Sequence, residues 1–235
     1  MPLPFEELDV QSTPLGELVL RRRRVASLDG AEVVEVKLAG ALLMSSLVNE
    51  TEIALAKRTL GELGRREIDV LVGGLGLGYT AHAALAFENV RHLTVIDTLE
   101  PVIGWHRAGL LPLGRQLCDD ARCRLVHDDF FRVVAAEPTD ERYDAILLDI
   151  DHSPGSLLDE RHAAFYQPAG LRQMARHLKP DGLFALWAAG RPDEEFITLL
   201  GGMLRGVQTH EITFFNPLVH EEEVNTIYVG RAPHS

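Results

Sequence analysis

Residues 68–87 read IDVLVGGLGLGYTAHAALAF, and their order decides the fold. Val70, Leu71 and Val72 form a short apolar run of the kind buried on both faces of a parallel sheet. Gly73, Gly74, Gly76 and Gly78 break that run, and an Ala- and Leu-rich segment of helical character follows. Strand, glycine turn and helix in that order let the backbone approach a nucleotide-like ligand at the N-terminus of the helix. No Asp, Glu, Lys or Arg follows Asp69 within the stretch, but its glycines suit a tight turn better than a membrane span.

Outward from this stretch, strand-like runs at 68–73, 93–97, 124–127, 145–149 and 183–188 alternate with helical ones at 80–87, 102–110, 130–136, 169–178 and 193–204. Such alternation predicts an α/β, Rossmann-like fold with a mostly parallel sheet and helices on both faces. Runs at 207–214 and 225–230 predict a closing C-terminal antiparallel hairpin. Upstream, short extended runs at 6–11, 16–24, 32–38 and 41–46, with turn signals at Pro14 and at Asp29-Gly30, predict a small antiparallel sheet. Asn49 with Glu52 three residues on reads as a capped helix start. The expected division is therefore a small N-terminal β-sheet domain, 1–48, and a Rossmann-like domain, 49–235.

The chain has 235 residues and a formal net charge of −12, which argues against a nucleic-acid partner and for a small cationic substrate. Four consecutive arginines, Arg21 to Arg24, read as a solvated strand edge rather than a nucleic-acid patch. Two cysteines, Cys118 and Cys123, make no disulfide framework, and no signal-peptide core follows Met1, so a cytoplasmic location is expected. His220 with Glu221, Glu222 and Glu223 reads as a solvated loop, and no metal or membrane association is expected.

In an open parallel sheet the ligand lies outside the carboxyl ends of the strands. The first strand delivers the glycine turn. The second ends at Asp97, placed to accept hydrogen bonds from ribose hydroxyls. The third ends at Asp128 and Asp129, placed for an adenine amino group, although helix capping explains one of them equally well. The fourth ends at Asp149, followed by Asp151, His152 and Pro154.

This set, in this order, resembles the class I S-adenosylmethionine-dependent methyltransferase fold and, within it, the spermidine synthase family of polyamine aminopropyltransferases. The resemblance runs through 70–78, 97–103, 127–130, 143–154, Ala164-Phe165-Tyr166 and 178–182, and the N-terminal sheet looks like that family's β domain. It implies donor binding by Gly74, Gly76, Gly78, Asp97, Asp128 and Asp129, with decarboxylated S-adenosylmethionine or S-adenosylmethionine as donor. It further implies Asp149 and Asp151 as the catalytic acids, and Glu50, His152 and Tyr166 around a small amine such as putrescine. The chain departs from the family where Leu77 replaces an Asp of the glycine turn and His152 the second Asp of the acidic loop; Ile53 and Ala54 stand where a Tyr and a His are usual. The first departure motivates a methyltransferase as the alternative reading, and the altered acceptor half a non-catalytic member of the fold. A homodimer is expected from the exposed edges of the β domain.

Overall fold

The computed structural model describes residues 5–64, 66–139 and 141–233. The outermost residues of the two expected domains, 1–4 and 234–235, lie outside these. Strands β1 (Phe5–Thr13), β2 (Gly16–Val25), β3 (Ala31–Leu38) and β4 (Ala41–Ser45) form an antiparallel sheet in sequential order. β2 is thus an interior strand, which corrects the expectation of a solvated arginine edge. Arg21 and Arg23 donate to Glu35 of β3 at 2.8 and 2.7 Å, and Glu35 is fully buried beneath them. A carboxylate tolerates such burial only when paired, and two guanidinium groups supply the pairing.

Helix α1 (Glu50–Gly61) leads into a seven-stranded sheet made of β5 (Ile68–Gly73), β6 (Val90–Asp97), β7 (Cys123–His127), β8 (Tyr143–Leu148), β9 (Leu178–Ala189), β10 (Arg205–Asn216) and β11 (Glu221–Arg231). Its order is β10-β11-β9-β8-β5-β6-β7. Strands β5 to β9 run parallel, whereas β11 is antiparallel to both of its neighbours. The closing hairpin is therefore built into the main sheet, its second strand lying between β9 and β10. The chain moves outward from β5 to one side through β6 and β7, then to the other through β8 and β9. That reversal opens a crevice at the carboxyl ends of the central strands.

Helices α2 (Tyr79–Leu85), α3 (Glu100–Arg107), α4 (Gly114–Asp119), α5 (Phe130–Ala135), α6 (Pro168–Ala175) and α7 (Glu194–Gly201) fill the connections. The two-residue period of β5 assigns them to faces. Val70 and Val72 join Leu55 of α1, Ile103 of α3 and Leu18 and Val36 of the N-terminal sheet, so both sheets share one core. Leu71 faces the other way, toward Phe130, Met174 and Phe196 of α5, α6 and α7. Trp105 Nε1 donates to Asp9 at 2.6 Å and ties α3 to β1.

Three local expectations need correction. The helix expected over 102–110 ends at Arg107, because Gly109 takes φ +70°, and a separate short helix, α4, follows. β8 ends at Leu148, although Asp149 N still donates to Gly73 O at 2.8 Å. Asn49 does precede α1, but its side chain donates to Ser46 O instead of capping the helix. Glu52 is thereby free of the capping box.

Candidate functional site

The carboxyl ends of the central strands meet a cavity of about 600 Å3. Leu15, Leu38, Leu42 and Met44 of the N-terminal sheet cover it from one side, and Phe214, Glu223 and Asn225 of the C-terminal hairpin from another. Gly74, Gly76 and Gly78 line it with φ of +94°, +50° and +94°, the left-handed region that side chains disfavour. A Cβ on Gly74 would stand 2.0 Å from Asp149 O, so glycine there permits the close approach of the β5 and β8 ends. Behind the turn, fully buried His106 places Nε2 at 2.9 Å from Gly76 O. A carbonyl only accepts, so Nε2 carries the hydrogen, and burial lowers the tendency of the ring to take a second proton.

Asp97 lines the cavity and accepts from Leu75 N at 2.9 Å and Leu99 N at 2.7 Å. Burial raises its pKa, against the opposing pull of these backbone bonds. A third backbone N–H, that of Gly76, also meets it, and the four lone pairs of the carboxylate leave room for a ligand hydroxyl. Asp129 also lines the cavity, and it caps α5 by accepting from Arg132 N. Asp128 is not among the lining residues. Its carboxylate pairs with the Arg132 guanidinium, which holds it below the usual carboxylate range.

Asp149 stands in the cavity wall with Oδ2 accepting from Thr80 Oγ1 at 2.7 Å. Glu52 comes to the same wall from α1. Burial raises the pKa of both groups, and the charge of Asp149 raises Glu52 further. The pair titrates as a unit in which the first charge resists the second. Neither acid is neutralised by Lys or Arg: among the described residues Arg161 alone of those types lines the cavity, and it is committed to Asp159. The lining acids Asp97, Asp129 and Glu223 add to the negative potential.

The expected acceptor residues divide. His152 lines the cavity as an exposed side chain, with its carbonyl accepting from Ala189 N at 2.7 Å. Asp151 does not. It is 1% exposed and accepts from Leu158 N at 2.8 Å and Tyr166 Oη at 2.9 Å, with His162 Nδ1 at 2.8 Å. The chain reverses at a Ser153–Ser156 bridge, and the residues beyond it, Leu158, His162 and Tyr166, hold the Asp151 carboxylate away from the cavity. Tyr166 is buried with it, and its hydroxyl pKa is raised by burial and by the Asp151 charge. Glu50 is exposed in the first turn of α1, where its carboxylate accepts from Asn49 N at 3.0 Å, and it lines no part of the cavity.

Two lining residues escaped sequence reasoning. Glu52 stands in helical register with buried Leu55, Ala56 and Thr59, so its place on the buried face of α1 was available from the 3.6-residue period. His162, held by Asp151 and stacked on Phe131 with ring centroids 4.0 Å apart, has no comparable sequence signal.

The family model described as "Spermine/spermidine synthase domain" matches residues 51–197. A curated polyamine aminopropyltransferase of Sulfolobus acidocaldarius is 34% identical over 94 residues, which are 38% of this chain and 30% of that protein. Among solved structures, spermidine synthase from Thermotoga maritima superposes with a TM-score of 0.74 at 14% identity, over 97% of this chain and 74% of that one. A spermidine synthase in complex with the transition state analogue AdoDATO gives a TM-score of 0.76 at the same identity and coverage. At that identity the likeness is one of fold.

Proposed function

The chain belongs to the spermine/spermidine synthase family, and from that membership we propose that it moves an aminopropyl group from decarboxylated S-adenosylmethionine to a small amine such as putrescine. The observation that carries this reading is the placement of Glu52 and Asp149, without a neutralising cation, in the same cavity as the glycine turn and Asp97. An anionic cavity favours a sulfonium donor and an ammonium acceptor over anionic or neutral ligands.

In this reading the nucleoside lies along Gly74, Gly76 and Gly78, its ribose hydroxyls donate to Asp97, and its base is bordered by Asp129. Asp149 takes a proton from the acceptor ammonium and frees the nitrogen lone pair. The nitrogen bonds to the methylene beside sulfur as the carbon–sulfur bond breaks, and its electron pair returns to sulfur to leave neutral methylthioadenosine. The proton on Asp149 passes to water. Alignment of nitrogen, carbon and sulfur by the walls supplies much of the remaining acceleration. Incubation with decarboxylated donor and putrescine should release methylthioadenosine; no product with any diamine overturns the proposal.

Buried, apolar Leu77 in the glycine turn favours a second reading, methyl transfer from S-adenosylmethionine, since no acid there selects a decarboxylated arm. Stabilisation by S-adenosylhomocysteine in preference to methylthioadenosine would support it. Three further elements complete the proposal. The division at 48/49 treats the N-terminal sheet as the cover of the cavity. Its free edges β1 and β4, with exposed Phe5 and Val10, support a homodimer, which light scattering tests. The free thiols of Cys118 and Cys123 accord with a reducing cytoplasm. Among the described residues no helix is long and apolar enough to cross a membrane.

A further inference from the structure

We propose that Glu52 binds the ammonium group on the donor's three-carbon arm, supplying from α1 the carboxylate that the glycine turn lacks at Leu77. The inference rests on the aminopropyl reading and adds to it the residue that selects the donor.

Position is the first argument. Helix α1 packs on α2, which begins immediately after the glycine turn. Thr80 Oγ1 lies 3.4 Å from Glu52 O, so Glu52 sits over the start of α2, and Glu52 and Leu77 line the same cavity. Thr80 also reaches Asp149 at 2.7 Å, so one hydroxyl meets both the backbone of Glu52 and the acid assigned as the base, and both acids line the cavity with Leu77.

Occupancy is the second. An acid in register with Leu55, Ala56 and Thr59 is costly unless a cation meets it. No Lys or Arg among the described residues lining the cavity is available to do so. A ligand ammonium would meet that need, and the carboxylate would in turn hold it by charge-assisted hydrogen bonds. Burial and the neighbouring Asp149 already hold Glu52 above the ordinary carboxylate range, a strain that an arriving cation relieves. S-adenosylmethionine carries the same ammonium together with a carboxylate, which would meet Glu52 and Asp149 with like charge. Glu52 therefore discriminates for the decarboxylated donor.

The test is titration calorimetry of the full chain and of E52Q with decarboxylated S-adenosylmethionine, S-adenosylmethionine and methylthioadenosine, which has no ammonium arm. The wild type should bind the decarboxylated donor tighter than methylthioadenosine, which lacks the sulfonium charge as well as the ammonium arm, with about tenfold or more of that ratio owed to the Glu52 contact. E52Q should lose that tenfold share while keeping the part due to the sulfonium charge, with an unchanged Kd for methylthioadenosine, and E52D should recover part of the loss. An E52Q protein that keeps the ratio overturns the proposal. So does loss of methylthioadenosine binding in both folded variants, which would give Glu52 a role in shaping the cavity instead. A wild type that binds methylthioadenosine and shows no preference removes Glu52's role and leaves the nucleoside site standing. A wild type that binds none of the three ligands removes the aminopropyl reading itself, and this proposal with it.

Discussion

Thr80 donates its hydroxyl to Asp149 Oδ2 at 2.7 Å, joining the first turn of the helix after the glycine turn to the acid after β8. A hydroxyl has one proton to give, and the longer 3.4 Å contact to Glu52 O is the weaker claim on it. The bond favours the ionised form of Asp149 and opposes the upward push of burial. In T80V that opposition is gone and the pKa of Asp149 rises further. If Asp149 is the base, the acid limb of kcat/KM should move up by about 1 pH unit, the worth of a hydrogen bond to a charged group. An unmoved limb would take Asp149 out of that role.

The Glu52–Asp149 pair should also be visible in stability. Both acids have a folded pKa above the unfolded one. Below the unfolded carboxylate range both states are protonated and there is no penalty. As pH rises the unfolded chain releases these protons first, so stability falls until the raised folded pKa values are passed. E52Q removes most of that slope. Melting temperatures of wild type and E52Q should therefore diverge as pH rises from about 5 to 8, with the variant the more stable at the upper end. Taking the difference cancels groups common to both, such as buried His106 and His177, whose lowered pKa values pull the other way on acidification. Parallel curves would count against the pair.

That the glycine turn, Asp97 and Asp149 gather at one cavity was legible in the sequence, because each follows a short apolar strand and the carboxyl ends of parallel strands lie together. The mostly parallel sheet followed from the alternation of strand-like and helical runs and the closing hairpin from two terminal strand-like runs, whereas the strand order, with β11 between β9 and β10, is set by pairing that no run encodes. Asp151 was expected beside Asp149, but its carboxylate lies outside the cavity, drawn to Leu158 N, His162 and Tyr166 by contacts that no period encodes. Glu52 looked like a capping acid, although its register with Leu55, Ala56 and Thr59 puts it on the inner face of α1; that this face borders the cavity follows from the packing of α1 on α2. Arg21 and Arg23 looked solvated because the register that brings Glu35 opposite Arg21 is set by pairing between strands.

Asp151 offers a separation of stability from binding. Its two oxygens serve Leu158 N, His162 Nδ1 and Tyr166 Oη, all within 2.9 Å. In D151N one oxygen becomes an amide donor, and at least one of these groups loses its partner in a buried place. The expected cost is about 1–3 kcal/mol, or roughly 2–4 °C of Tm for each of those kcal/mol in a chain of this length. Asp151 lines no part of the cavity, so methylthioadenosine binding measured well below the transition should persist. A variant of unchanged Tm that had lost nucleoside binding would restore Asp151 to the site.

Gly74 gives the opposite pattern. Its φ of +94° is unfavourable for any side chain, and a Cβ there would meet Asp149 O at 2.0 Å, a backbone atom that no rotamer change can move. G74A must part the ends of β5 and β8, and with them the wall that presents Asp149. Gly206 is the control, with φ +58° and open space around its Cβ position. G206A should cost only the left-handed backbone penalty of about 1 kcal/mol and leave the cavity intact. G74A should cost more than that and abolish methylthioadenosine binding in calorimetry, even where circular dichroism shows a folded protein. Equal binding by the two variants would mean that the glycine turn does not shape the nucleoside site.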